Sequence, residues 1–330
     1  MSVSILRRLR MRAGLTQDEL ADRSGISVRA VRDIENGRVD HPRPASVDRL
    51  ASALSLTDTE RRQLLTVAVE RRLRIGVLGP VTARRLGIDL ELGPPAQRTL
   101  LGLLALRRNE FVSQDETVDV LWGDRPPRSC LGQVQAMAGR LRRLVAPQEA
   151  PRSPGGVLRR LRGGYQLEMD DDLVDAGRFT RLVRRARAAA GDAEATGLWA
   201  EALSCWRGPV AAGSQERLCR HPAAAALTRG RVDAVIAYAD ASARTGRPEA
   251  AIRDLQELAA TEHHHEGLHA RLIEALAADG DRAAALRQFA TIRRRLADDL
   301  GIEPGARLRR AHQAVHALLD CSDDPQLPAQ

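Results

Sequence analysis

The chain has 330 residues, 43% of them apolar, enough to fill two or three cores of ordinary domain size. All 51 basic residues are Arg, so the chain can build neither a Walker loop, whose Lys reaches nucleotide phosphates, nor a pyridoxal Schiff base. The net charge of +8 is uneven: residues 1–72 hold 14 Arg and 10 acids, residues 73–170 hold 15 and 10, and residues 171–330 hold 22 and 23.

Four or five short helices are predicted in the first seventy residues. Leu6 and Leu9 lie on a first helix that ends at Ala13-Gly14. Thr16-Gln17-Asp18-Glu19 is a capping box that opens a second, and Gly25 breaks it after Ser24. Ser27 caps a third helix running from Val28 through Arg29, Arg32, Asp33 and Ile34 to a stop at Asn36-Gly37. Ala21, Val31 and Ile34 supply the small and apolar contacts for two helices crossing steeply over a short turn, which is helix-turn-helix geometry.

Gly14-Leu15-Thr16-Gln17-Asp18-Glu19-Leu20-Ala21, Gly25-Ile26-Ser27, Ile34-Glu35-Asn36-Gly37 and Leu50-Ala51-Ser52-Ala53-Leu54 resemble the Cro/repressor-type (XRE) helix-turn-helix over most of residues 4–68. The resemblance implies a DNA-contact set of Gln17, Ser27, Val28, Arg29, Arg32, Asp33, Asn36 and Arg43, with Gln17, Asn36 and Arg43 at phosphates or the groove edge. Arg29 and Arg32 can pair with guanine edges and Val28 can meet a thymine methyl, whereas Asp33 requires a cytosine amine or an Arg.

From residue 73 the period changes. Leu73 to Leu78 alternates, Gly79-Pro80 turns, and short apolar segments follow at Val81 and Ile88 to Leu92, predicting a small antiparallel sheet. Ala96 to Leu106 reads as a helix, and Ser113-Gln114-Asp115-Glu116 as a capping box opening another that ends at Trp122-Gly123. After Pro126-Pro127 a third helix places Leu131, Val134, Ala138, Leu141 and Leu144 on a buried stripe. Gln133, Gln135, Ala136, Arg140 and Arg143 lie on its other face. Val157 to Leu167 then reads as two short strands about a glycine turn, a wing from which Arg159, Arg160 and Arg162 project. Residues 125–162 carry nine Arg against the single acid Glu149, which suits a polyanion laid across helix and wing.

Gly79-Pro80, Leu92-Gly93-Pro94-Pro95-Ala96-Gln97-Arg98, Leu121-Trp122-Gly123, Pro126-Pro127, Arg140-Leu141-Arg142-Arg143 and Gly163-Gly164-Tyr165-Gln166-Leu167 resemble the OmpR-type winged helix of the SARP (Streptomyces antibiotic regulatory protein) activators. Two positions depart from that pattern: Gly139 stands where the family has Ser, and Ala138 replaces a larger aliphatic residue.

Beyond Asp175 the pattern is all helix. Gly246, Ala250, Ala251, Ile252, Leu255 and Leu258 recur 34 residues later as Gly280, Ala284, Ala285, Leu286, Phe289 and Ile292, which is the tetratricopeptide (TPR) period. Leu203 to Pro209, Gly246 to Ala251 and Arg294 to Gly305 are similar to the bacterial transcriptional activator domain that follows the winged helix in SARPs. One motif points elsewhere: His265-Glu266-Gly267-Leu268-His269 matches the H-E-x-x-H of zinc proteases. Against it, Gly267 weakens the helix that would fix the two ligands, and no downstream third ligand is marked.

The four cysteines, Cys130, Cys205, Cys219 and Cys321, form no C-x-x-C pair, so neither a disulfide framework nor a zinc knuckle is implied. No apolar run approaches 18 residues, and a cytoplasmic protein that is neither exported nor membrane-bound is expected. The expected fold is mainly α and multidomain. A helix-turn-helix bundle (1–70) precedes an α+β winged helix (73–170), an all-α TPR-like activator domain (171–320) and a flexible tail (321–330). The expectation is a non-enzyme without cofactor, metal or catalytic residue.

The SARP resemblance implies activation of a secondary-metabolite (antibiotic) gene cluster by binding direct repeats in double-stranded promoter DNA, as a homodimer on DNA. It also implies contact with the sigma and alpha subunits of RNA polymerase, with Gly123, Asp124, Arg125 and Arg128 in the loop that faces polymerase. Two alternatives stay open: a peptide- or ligand-sensing repressor that uses the TPR-like groove, and a zinc peptidase linked to a DNA-binding domain.

Overall fold

A computed structural model describes residues 5–35, 44–56, 73–85, 87–145 and 157–320. In the first of these stretches and the second, four helices form, α1 (Ile5–Arg12), α2 (Gln17–Ser24), α3 (Val28–Glu35) and α4 (Pro44–Ala53). They enclose Leu6, Leu9, Leu15, Leu20, Ala21, Val31, Leu50 and Leu54. The capping box closes in both directions. Thr16 Oγ1 accepts from the Glu19 N–H (3.1 Å) while Glu19 Oε2 accepts from the Thr16 N–H (2.7 Å). Gly25 ends α2 at φ +64°, a left-handed conformation that lets the chain turn at once into α3. Ser27 Oγ accepts from the Ala30 N–H, capping α3.

The next described residues build a three-stranded antiparallel sheet, β1 (Arg74–Gly76), β2 (Thr82–Arg85) and β3 (Ile88–Asp89), in sequential order. Three helices follow, α5 (Pro95–Leu106), α6 (Gln114–Trp122) and α7 (Cys130–Val145). A second sheet is ordered β4 (Val112–Ser113), β6 (Gly164–Leu167), β5 (Leu158–Leu161), so the wing hairpin is anchored by a strand that leads into α6. Gly163 makes the hairpin turn at φ +81°. Gly164 has no room for a side chain, since a Cβ there would collide with the Val112 carbonyl oxygen across the β4–β6 pairing.

Two details differ from the sequence reading. Leu131 is 46% exposed, and the stripe that α7 buries runs Val134, Met137, Ala138, Leu141 and Val145, one turn further along the helix. At the start of α6, Ser113 Oγ accepts from the Glu116 N–H, but the Glu116 carboxylate turns away to pair with Arg107 (2.7 Å) and leaves the capping box half made.

The described residues divide into two compact units, and the division does not follow the chain. One comprises those up to Asp175 together with Ala211–His221; the other comprises Ala176–Val210 and those from Pro222 onward. In the first unit Val174 pairs in parallel with Ile75, and the Asp175 carboxylate accepts from the Val77 and Leu78 N–H groups.

The second unit is helical. It consists of the residues from Ala176 of α8 (Asp175–Ala188), then α9 (Asp192–Leu203), α10 (Pro222–Arg244), α11 (Ile252–Ala259), α12 (Glu266–Ala278), α13 (Arg282–Arg295) and α14 (Ala306–Asp320). The 34-residue repeat is visible in backbone and core alike. Gly246 (φ +72°) and Gly280 (φ +93°) make equivalent left-handed turns between paired helices. Ala251, Leu255 and Leu258 are buried where Ala285, Phe289 and Ile292 are buried one period later. Trp206, from the Leu203 to Pro209 motif, meets Phe179 edge-on (5.4 Å between centroids) and lies 5.0 Å beneath the Arg231 guanidinium.

Candidate nucleic-acid interface

In the N-terminal bundle the predicted contact residues are organised around a buried carboxylate. Glu35, at the end of α3, accepts from Arg10 Nε (2.6 Å), Arg10 Nη2 (3.1 Å) and Gln17 Nε2 (2.7 Å). A carboxylate withdrawn from water needs such donors, and three of them satisfy it. The Glu35 hydrogen bond also holds the Arg10 guanidinium above its ordinary pKa. Gln17 passes the network outward, its Oε1 accepting from Arg32 Nε (3.3 Å). Arg29 is exposed and stands 3.8 Å from Asp33, the Arg partner that Asp33 requires. Val28 is half-buried, and Ser27 is exposed with its hydroxyl engaged in capping. Asn36 and Arg43 lie outside the described residues.

Within this set the structure brings Gln17 and Arg32 together and pairs Arg29 with Asp33. It adds Arg10 and Glu35, which sequence reasoning passed over as functional residues. The available signal was spacing: Glu35 follows the buried Val31 by one helical turn and so shares its inward face of α3.

In the winged helix, Gln133, Gln135, Ala136, Arg140 and Arg143 all lie on the exposed side of α7. A Cβ built at Gly132 or Gly139 would meet nothing within 4 Å, so with Ala136 these positions leave a shallow track along the helix where another backbone or a base edge could approach closely. Gln133 Nε2 donates to Ser129 Oγ (3.1 Å), and Arg140 Nε donates to Oε1 of the buried Gln97 (2.8 Å), which fixes the root of that side chain. Arg142 Nε donates to the Leu158 carbonyl (3.0 Å) and ties the helix to the wing.

On the wing, Arg159 pairs with Glu168 and is half-buried, whereas Arg160 and Arg162 are exposed. Arg143, Arg160 and Arg162 have no carboxylate partner among the described residues. Of the described arginines in the basic run only Arg159 has a carboxylate partner, since Arg140 and Arg142 are bound to neutral oxygens. Arg125 and Arg128 are exposed in the connection between α6 and α7, and Asp124 there is bound to Arg217 (3.0 Å).

The H-E-x-x-H residues of the helical unit serve the fold instead. His265 Nδ1 accepts from the Leu268 N–H as the cap of α12, and Glu266 Oε2 accepts from the Gly305 N–H (2.6 Å). His269 is fully buried between the Glu262 carbonyl (3.2 Å) and Gln288 Nε2 (2.7 Å). Burial lowers its pKa, and the neutral ring uses one nitrogen as donor and the other as acceptor. Two imidazoles and a carboxylate committed in this way are not arranged around a common point. Among the described residues no helix is long and apolar enough to cross a membrane.

Comparison with known proteins gives a consistent set. A family model described as a bacterial transcriptional activator domain matches residues 174–316, and one described as a helix-turn-helix domain matches residues 5–64. Transcriptional regulator RedD of Streptomyces coelicolor is 36% identical over 248 residues, covering 74% of this chain and 71% of RedD. Regulatory protein DnrI of Streptomyces peucetius is 30% identical over 249 residues, covering 74% of this chain and 92% of DnrI. Among solved structures, Mycobacterium tuberculosis EmbR in complex with a low-affinity phosphopeptide matches with a TM-score of 0.64 at 32% identity, covering 76% of this chain and 66% of that one.

Proposed function

The chain belongs to the SARP family of transcriptional activators, and from that premise we propose that it is a sequence-specific DNA-binding activator of a secondary-metabolite gene cluster. In this reading residues 1–70 and 73–170 are two DNA-binding domains in tandem, and residues 171–320 are the activator domain. Helix α7 enters the major groove with Gln133, Gln135, Ala136, Arg140 and Arg143 toward the bases and phosphates. Arg159, Arg160 and Arg162 of the wing meet the backbone or the neighbouring groove. Helix α3 reads a second stretch through Val28, Arg29 and Arg32, with Gln17, Ser27, Asp33, Asn36 and Arg43 around it.

The observation that carries the reading is the pairing of an open, small-residue track along α7 with the uncompensated Arg143, Arg160 and Arg162. A face that only meets water has no need to leave cations without counter-charge beside a surface that a duplex could enter. The loop of Gly123, Asp124, Arg125 and Arg128 faces RNA polymerase, through its sigma and alpha subunits, and the protein sits on direct repeats as a homodimer.

A footprint on the DNA upstream of its own gene, read at two salt concentrations, tests DNA binding. Protection of a repeated site that weakens steeply with salt is the expected result, and its absence at low salt overturns the reading. In vitro transcription from the protected promoter separates an activator from a repressor. If the N-terminal bundle reads DNA, deleting residues 1–70 shortens the footprint; if it restrains the winged helix instead, the same deletion raises affinity at unchanged footprint length.

A further inference from the structure

The segment Ala211–His221 falls in sequence between two helices of the second unit, yet it packs into the first. The Ala211 N–H donates to the Val77 carbonyl (2.8 Å) and the Ala212 N–H to the Gly79 carbonyl (3.1 Å), which seats the segment beside β1. The Gln215 N–H reaches Thr99 Oγ1 (3.3 Å) on α5. One helical turn, Glu216–Cys219, then drives Leu218 into full burial.

Two glycines are shaped for this strap. Gly102 stands in the middle of the Leu-rich helix α5, where Gly is a poorer helix former than Ala. A Cβ there would lie 2.8 Å from Leu218 Cδ2 and 3.0 Å from Val81 Cγ2, so the missing side chain is the slot that Leu218 fills. Gly123 ends α6 at φ +61° and ψ −134°, and a Cβ on it would collide with the Arg217 guanidinium. The guanidinium rests on that glycine and binds Asp119 on one side (3.0 Å) and Asp124 on the other (3.0 Å). His221 closes the strap against Glu116 (3.2 Å), which is also held by Arg107.

We infer that Ala211–His221 is a working part of the DNA-reading unit, and that Arg217 is a positioning residue that fixes the α6–α7 loop and, through it, the entry of recognition helix α7. The loop runs from Gly123 to Ser129. Its two ends continue the helices, the Gly123 N–H donating to the Asp119 carbonyl (2.8 Å) and the Ser129 carbonyl accepting from the Gln133 N–H (3.0 Å), and between them stand the Arg125 N–H to the Trp122 carbonyl (3.4 Å) and the Cys130 N–H to the Pro127 carbonyl (2.9 Å). A cation that bridges the end of α6 to the second residue of the loop therefore sets its course. Exposed ion pairs contribute little to the stability of a fold, so Arg217 acts on loop position far more than on global stability. The consequence for DNA rests on the reading of α7 proposed above; the consequence for the loop does not.

The test uses the full chain. Arg217→Glu should raise amide hydrogen exchange in residues 123–129 at least tenfold, weaken binding to the footprinted duplex three- to tenfold, and leave the Tm within about two degrees. The charge-swapped pair Arg217→Glu with Asp119→Arg should recover most of both losses. Arg220→Ala, on the same strap but ion-paired among the described residues with Glu216 alone, in solvent, should change neither. Unchanged exchange in residues 123–129 overturns the positioning role whatever the DNA result. Raised exchange with undiminished affinity overturns its link to α7. A wild-type chain that binds no duplex removes the DNA reading alone, and the exchange comparison still decides the role of Arg217.

Discussion

The two helices proposed to read DNA are built on opposite electrostatic plans. Around α3 nearly every polar group has an answer inside the protein: Arg10 and Gln17 on Glu35, Arg32 on Gln17, and Asp33 near Arg29. Around α7 and the wing the cations Arg143, Arg160 and Arg162 have none among the described residues, and the helix between them is lined by Gly132, Ala136 and Gly139. A compensated surface gains little from phosphate charge and must draw its selectivity from geometry. An uncompensated one attracts any duplex and leaves sequence choice to a few side chains.

The first way to break this contrast is at its buried centre. Glu35→Ala strands the Arg10 guanidinium in the bundle and should destabilise residues 5–56 by about 3 kcal/mol, enough to unfold a small helical domain. Hydrogen exchange should show that bundle losing protection while α5–α7 keep theirs; equal loss in both would mean that the two readers do not fold separately. Next comes the charge itself. Arg143→Ala, Arg160→Ala and Arg162→Ala together should lower affinity for duplex DNA roughly 100-fold near 0.1 M salt and reduce the salt slope by about 3, one for each phosphate left without its cation. Titrations by fluorescence anisotropy at four salt concentrations decide it, and an unaltered slope would remove these three residues from the interface.

A third prediction separates both readers from the helical unit. Because burial depresses the pKa of His269, the unfolded chain takes up a proton there before the folded one does. The stability contributed by the neutral ring is complete above the ordinary histidine value of 6.5 and is lost as pH falls from there through the depressed folded value. Resistance of the helical unit to denaturation should fall over that interval in the wild type, and His269→Gln should lose this pH-dependent component, while the melting of α5–α7 shows no such step. The smallest effect is expected at Gly139. Gly139→Ser enters open space on an exposed helical face, restores helix propensity worth a few tenths of a kcal/mol, and adds a hydroxyl within reach of a phosphate. A two- to fivefold gain in affinity by the same anisotropy assay is the expected sign; a loss would mean that the track must stay bare.

Features decided by local spacing were legible in the sequence. The Thr16–Glu19 box, the Gly25 stop, the Ser27 cap, the wing turn and the 34-residue repeat all follow from rules spanning a few residues or from self-similarity, and each stands in the structure. What escaped was decided by partners distant in sequence. Leu131 fits the apolar period of α7 but is exposed, because periodicity cannot tell at which turn a neighbour begins to cover the helix. Strand β4 is two residues long and exists only because β6 pairs with it. Glu35 reads as an ordinary polar residue until Arg10, 25 positions earlier, is folded against it. The H-E-x-x-H run errs in the other direction, a spacing rule met by residues whose nitrogens and oxygens are engaged in helix caps and turns.

Gly102 also sets an order of events during synthesis. The slot over α5 is complete once the wing has emerged from the ribosome, but Leu218 emerges some fifty residues later. At bacterial elongation rates that leaves the slot open for about 3–10 s on every nascent chain. Through that interval the slot between Gly102 and Val81 has no occupant from its own chain, and closing it must wait for residues 116 positions apart, Thr99 and Gln215, to come together. The proposed DNA reader therefore matures only after part of the activator domain has been translated, so a prematurely terminated chain would carry α7 without the strap that steadies its loop.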